Sequence, residues 1–239
     1  HAVFVIAPKT EQSWIGCAKS RHRHVTSAQI DVGLGCPTWT VDGTPSDCVN
    51  IGLAHLLPKT VQIDAVVSGI NIGRNASLGF ILASGTIGGA WEGAVHGLPS
   101  LAFSQDLTSA MFEQLQRAKG QPDSSLLETV RTSAAHAARL VPLLSISHPP
   151  KSFIVHNVNF PVPCTRDTPL VQTVPAQVIV PSLFSPAADD GTHRFVFHLG
   201  DDCSPDEPLT DRAAIESGKM SHTVLDYRAL GHAFSRSLK

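Results

Sequence analysis

The chain has no block of lysine and arginine, no closely spaced cysteine pair and no long apolar run, and each absence removes a class of function. Proteins that grip a nucleic-acid duplex neutralise phosphates with clustered cations. Here the net charge is −2, and the nearest basic cluster, Lys19-Ser20-Arg21-His22-Arg23-His24, is short and reads as a solvated loop. No duplex is expected as a partner. The five cysteines, Cys17, Cys36, Cys48, Cys164 and Cys203, are odd in number and contain no Cys-x-x-Cys spacing. Reduced thiols in a cytoplasmic protein are the favoured reading. No apolar run is long enough to span a bilayer, so no membrane is expected either. A glycine fingerprint G-x-G-x-x-G after a strand is missing, which argues against a dinucleotide-dependent oxidoreductase, and no G-x-x-x-x-G-K-[ST] exists to make a P-loop. Internal repeats and low-complexity segments are also absent.

What the chain does have is concentrated between Ile63 and Ser104. Ile63-Asp64-Ala65-Val66-Val67-Ser68 is a short apolar run suited to a strand buried on both faces. Gly69 is expected to break it, and a loop rich in Gly, Asn and Ser follows. Ser84-Gly85-Thr86 reads as a helix start, with a hydroxyl placed to accept from free amides. Ile87, Ala90, Trp91, Ala94 and Val95 then give that helix an apolar face. Gly97 and Pro99 end it, and Ser100 to Ser104 reads as the next strand. A strand, loop, helix and strand in this order build a parallel sheet with a right-handed crossover. Ligands of such sheets sit beyond the carboxyl ends of the strands. Asn71 falls there, beside a helix start whose amides favour an anion.

The remaining chain, at 239 residues, is large enough for one domain with an appended arm. Ala2 to Ala7 reads as a strand, and Ser13 lies in the polar loop after it. If this strand and the one before Asn71 share a parallel sheet, Ser13 and Asn71 lie on one rim. Val25 to Val41 reads as β-structure broken at Gly33, Gly35 and Pro37. A helix begins at Pro45, which suits the first helical position, and a long one runs from about Ser124 to Leu144 with Leu126, Leu127, Val130, Ala134, Ala137, Ala138 and Val141 as its stripe. Within it, His136 reads as an ordinary helix histidine. After Ser104 an irregular piece is expected, and Ser152 to Val158 reads as a strand. Gln177 to Val180 and Arg194 to Leu199 flank a turn-rich stretch and read as a β-hairpin arm, over about Val174 to Leu199, that contacts another subunit. Exposed Phe195 and Phe197 on one face motivate that reading. A short capped helix over Thr210–Gly218, a strand over Lys219–Leu225 and a terminal helix over Tyr227–Leu238 complete the pattern. Asp47 and Asp211 read as helix-terminus acids.

Five blocks in order resemble the SurE family of survival proteins: VIAPKTEQS (Val5–Ser13), GTPSDCVNIG (Gly43–Gly52), the Ile63–Ser104 block with SGIN and SGT, NVNFP (Asn157–Pro161) and TDRAAIESGKMSHTVL (Thr210–Leu225). The resemblance implies an α/β fold, a Rossmann-like three-layer sandwich with a mainly parallel sheet plus a C-terminal β-hairpin arm and terminal helix. It divides the chain into a core over residues 1–165 and an arm and oligomerisation region over residues 166–239. It implies a divalent-metal-dependent 5′/3′-nucleotidase that takes nucleoside monophosphates to nucleoside and phosphate, and a homodimer or tetramer. The implied metal is Mg²⁺ or Mn²⁺, which suits all-oxygen ligands. Ser13 and Asn71 match two of the family's metal ligands, and Asn75, Ser84, Gly85 and Thr86 are the candidates for substrate phosphate. The family's Asp-Asp pair, in a short Asn-Asp-Asp-Gly motif, has no match in this chain. A further strand and helix of about thirty residues carrying that pair are therefore expected ahead of His1. An inactive homologue that binds nucleotide or a partner is the second reading. The chain departs from the family pattern at Trp14, where Gly is usual, at Arg74, where Pro is usual, and around Ala76-Ser77-Leu78.

Overall fold

In the computed structural model of the chain, which describes residues 2–230, three sheets and six α-helices are built in an order that follows the hydrophobic pattern. The strands are β1 (Val5–Pro8), β2 (Ser27–Ile30), β3 (Thr38–Val41), β4 (Val66–Ile72), β5 (Ser100–Gln105), β6 (Ile154–Phe160), β7 (Leu170–Thr173), β8 (Val178–Ile179), β9 (Asp201–Asp202) and β10 (Met220–Asp226). The helices are α1 (Pro45–Ile51), α2 (Leu78–Ala83), α3 (Gly85–Val95), α4 (Ser109–Arg117), α5 (Ser124–Ser145) and α6 (Asp211–Glu216).

The main sheet runs β4-β5-β6-β10-β7. β4, β5 and β6 pair in parallel, while β10 runs antiparallel to β6 and parallel to β7. Every residue of β5 and β6 is buried, as expected of strands covered on both faces. Their side chains alternate between two helical layers. Leu101, Phe103, Val158 and Phe160 pack on Ala137, with Leu140 and Val141 of α5 beside them, whereas Ala102 and Val155 pack on Ile87, Ala90 and Ala94 of α3. A Rossmann-like α/β sandwich of helix, sheet and helix results, and β7 and β10 place chain beyond residue 165 in the same sheet.

Several local expectations change. β4 does not stop at Gly69. It continues to Ile72 with a shift of register between Ser68 and Asn71, so that Asn71 stands opposite Ser104. Gly69 permits this bulge, because its φ is +111° and a Cβ there would lie 2.2 Å from the Phe103 carbonyl oxygen. The loop before Ser84 contains α2, and the piece after Ser104 contains α4, whose N-cap Thr108 accepts from the Met111 amide. The buried stripe of α5 is turned from the expected one. Thr129, Ser133 and His136 are buried beside Leu126 and Ala137, while Leu127 is exposed. Two of these polar residues are paired: Ser133 Oγ donates to Gln105 Oε1 at 2.6 Å, and His136 Nε2 meets the Thr165 carbonyl at 2.8 Å. Burial of polar groups is tolerated when they are bonded in this way.

The arm is only partly a hairpin. Phe184 bridges Phe195, and the Val196 amide donates to the Leu183 carbonyl at 2.8 Å. Val178–Ile179 pairs with Asp201–Asp202 rather than with the 194–199 stretch. Of the expected terminal helix, Tyr227–Ala229 forms one 3₁₀ turn, and residues 231–239 lie outside those described. Among the described residues no helix is long and apolar enough to cross a membrane.

Candidate functional site

β1 belongs to a separate sheet, ordered β1-β3-β2. The expectation that β1 and β4 share one sheet is therefore corrected. β1 pairs only with β3, and β4 only with β5, so each keeps one row of backbone groups without a neighbouring strand among the described residues. Both open edges face one cavity of about 2120 Å³, which residues 2–14 and 61–75 line without interruption. Ser13, Asn71, Asn75, Ser84, Gly85 and Thr86 all line that same cavity. The single rim inferred for Ser13 and Asn71 is therefore not formed, and the two residues line the cavity from different sheets.

Each candidate is held by its local backbone. Asn71 Nδ2 donates to the Gly73 carbonyl at 2.7 Å, which fixes the amide and leaves Oδ1 with no partner among the described residues. The Ser13 amide donates to Glu11 Oε1 at 2.7 Å, and the Ser13 hydroxyl takes no partner among the described residues. Ser84 is the N-cap of α3 and accepts from the Ile87 amide at 3.2 Å. Gly85 and Thr86 then carry first-turn amides with no partner among the described residues, at the positive end of the helix dipole. The loop carrying Ser13 is pressed against this helix. The Gly16 amide donates to the Ala83 carbonyl at 2.8 Å, and a Cβ on Gly88 would come within 2.3 Å of the Gly16 oxygen.

Asn75 plays a different part from the other five. Its amide donates to Asn159 Oδ1 at 2.8 Å, its Nδ2 donates to Ser104 Oγ at 2.8 Å, and its carbonyl accepts from Asn157 Nδ2 at 2.8 Å. These bonds make it a buried strut that ties the loop to β5 and β6. Asp47 and Asp211 are also structural. Burial raises the Asp47 carboxyl, but hydrogen bonds from Thr44 and Ser20 outweigh it and hold the group below its ordinary range. Asp47 closes a capping box with Thr44. Asp211 is fully buried and accepts from the amides of Ala176, Ser77 and Arg212.

Sequence reasoning noted Arg74 only as a departure and did not place it in the site. Its guanidinium lines the cavity 3.7 Å from Asp106 and 3.4 Å from Glu216. Burial pushes the Asp106 carboxyl up, and the neighbouring Arg74 charge offsets part of that. A cation directly after a Gly/Asn loop was the available signal. The candidates Ser13 and Asn71 offer neutral hard oxygens, a hydroxyl and an amide oxygen, with a separate row of amides, and the carboxylates of Glu11 and Asp64 line the same cavity. Hard divalent cations and phosphate oxygens are the chemical match for such a set.

Comparison with known proteins bears on the family and the fold. The family model for the survival protein SurE matches residues 1–178. A 5′-nucleotidase SurE of Desulforudis audaxviator is 32% identical over 238 residues, covering 95% of this chain and 84% of the relative. The 5′-nucleotidase SurE 1 of Thermus thermophilus is 33% identical over 242 residues, covering 99% of this chain and 85% of the relative. Among solved structures, the crystal structure of the SurE protein from Aquifex aeolicus superposes with a TM-score of 0.67 at 24% identity, over 95% of this chain and 83% of that one. At that identity the superposition speaks for the fold.

Proposed function

Because the chain belongs to the SurE family, we propose that it is a nucleotidase, releasing phosphate from nucleoside 5′- or 3′-monophosphates with the help of a divalent cation. The observation that carries this reading is the convergence of Ser13, Asn71 and the open first turn of α3 on one cavity. A phosphomonoester brings two negative charges, which the transition state spreads over its peripheral oxygens. The Gly85 and Thr86 amides would hold two of these oxygens with donors that need no reorganisation. Arg74, already set between two carboxylates, would turn to neutralise a third.

Ser13 Oγ and Asn71 Oδ1 would hold the cation, Mg²⁺ or Mn²⁺. Bound there, the ion supplies Lewis acidity and a bound water of lowered pKa. Both ligands are neutral, so the cation would need carboxylate charge as well, and Glu11, Asp64 and Asp106 line the same cavity. The five cysteines are free thiols, which supports a reducing, cytoplasmic setting. Partners beyond the nucleotide would be further copies of the chain, as dimer or tetramer.

The test is release of inorganic phosphate from each mononucleotide, with Mg²⁺, with Mn²⁺ and with chelator. The expected result is metal-dependent release that chelator abolishes. Tight mononucleotide binding without release under any of these conditions would replace this reading with that of a binding homologue.

A further inference from the structure

A tryptophan stands immediately after Ser13, and its surroundings are unlike those of any core aromatic. Phe103 and Phe160 are fully buried and stack on each other within the core. Trp14 is 41% exposed, yet it is the hub of a ring cluster drawn from three distant parts of the chain. Its ring centroid lies 5.5 Å from Phe80 of α2, 5.2 Å from Phe195 and 6.3 Å from Phe197 of the arm, each in an edge arrangement. Phe80 and Phe197 meet at 5.8 Å. All four rings line the cavity that holds Ser13, Asn71 and the first turn of α3. Trp14 also takes a left-handed backbone, with φ of 60°, which is strained for a bulky residue and needs the surroundings to hold it.

We propose that Trp14, Phe80, Phe195 and Phe197 form an aromatic clamp for the base of the nucleotide, so that this chain selects phosphomonoesters carrying a planar ring over those without one. The inference rests on the nucleotidase reading of the neighbouring phosphate site. Its support is placement. The clamp begins one residue from Ser13, and α2, which carries Phe80, ends directly at Ser84, the cap of the phosphate-binding turn. A nucleotide's base lies one sugar away from its phosphate, and the rings share a cavity with the Gly85 and Thr86 amides that would seat that phosphate. Bases of every kind stack on aromatic faces, so the clamp favours a ring without choosing among bases. Phe195 and Phe197 of the arm meet Trp14 within the same chain.

The competing occupant is a second copy of the chain, whose arm or core would cover the same exposed rings. The experiment compares wild type, Trp14→Leu and Trp14→Phe. Leu keeps apolar bulk without a ring, and Phe restores one. KM and kcat are measured for a mononucleotide and for glycerol phosphate, adenosine binding is followed by isothermal titration calorimetry, and the assembly is followed by sedimentation. The expected result is that Trp14→Leu raises KM for the mononucleotide about tenfold more than for glycerol phosphate, weakens adenosine binding to match, and leaves kcat and the oligomer alone, while Trp14→Phe recovers most of the loss. Equal effects on the two phosphomonoesters overturn the clamp while leaving the nucleotidase reading standing. A change of oligomer with no change in the KM ratio also overturns it and marks the rings as a subunit contact. If neither ester is hydrolysed but adenosine binding still depends on a ring at position 14, the clamp stands and the phosphatase reading falls.

Discussion

β5 and β1 are both short strands, but the protein treats them differently. β5 has a parallel neighbour on each side and helices on both faces, and all of its residues are buried. β1 has one neighbour, and all four of its residues are half-buried. The first supports the fold, and the second borders the cavity that the candidate ligands line. A strand with paired edges gives stiffness, while an open-edged one gives room, and the candidate ligands Ser13 and Asn71 lie where the chain leaves the two open-edged strands. The contrast also explains why Asn75 and Asn71, four residues apart, have different jobs. Asn75 faces the closed side and spends its hydrogen bonds there, whereas Asn71 at the open edge keeps its oxygen.

The largest expected effect sharpens that contrast. Phe103→Ala removes a fully buried ring from the closed half and should cost about 3–5 kcal/mol in urea unfolding. Ile6→Ala in half-buried β1 should cost about half as much or less, because less surface returns to water. Equal costs would mean that the two strands are not differently supported.

A smaller effect comes from a titratable pair inside the closed half. His156 Nδ1 lies 2.9 Å from His222 Nε2 across β6 and β10, and Ser147 Oγ is 3.1 Å from His156 Nε2. Burial first, and then the neighbouring His222 and His148 charges, press His156 down from 6.5 to about 4. A histidine with a lowered folded pKa binds its proton more readily when unfolded, so it contributes stability above pH 6.5 that is lost as the pH falls towards 4. The loss should be on the order of 3 kcal/mol, seen as a fall in urea midpoint between pH 7 and pH 4, and His156→Gln should flatten it. A fall of the same size in the variant would place the acid sensitivity elsewhere.

Much of this was legible in the sequence. A hydroxyl cap on α3, from Ser84 or Thr86, followed from the residues before a periodic apolar run, the parallel pairing of β4 and β5 followed from the strand–helix–strand order between Ile63 and Ser104, and the sandwich came with the family resemblance. Other features depended on contacts between distant residues. The bulge at Gly69 arises where β4 meets the Phe103 carbonyl, which periodicity along one strand does not reveal. The turned stripe of α5 depends on Ser133 finding Gln105, and the aromatic cluster joins positions 14, 80, 195 and 197, which local patterning treats as unrelated. Arg74 looked like a loop substitution until Asp106 and Glu216 came beside it.

The smallest expected effect on stability belongs to the residue on which the functional account depends most. Asn71→Ala removes a half-buried amide whose side-chain bond goes to the Gly73 carbonyl within its own turn, so the stability measured in urea should move by no more than about 1 kcal/mol. Metal-dependent phosphate release from a mononucleotide should nevertheless fall about a hundredfold. Measured side by side, unchanged stability with lost turnover is the result predicted for a ligand at the open edge. Turnover near that of the wild type, with the same dependence on Mn²⁺, would contradict it.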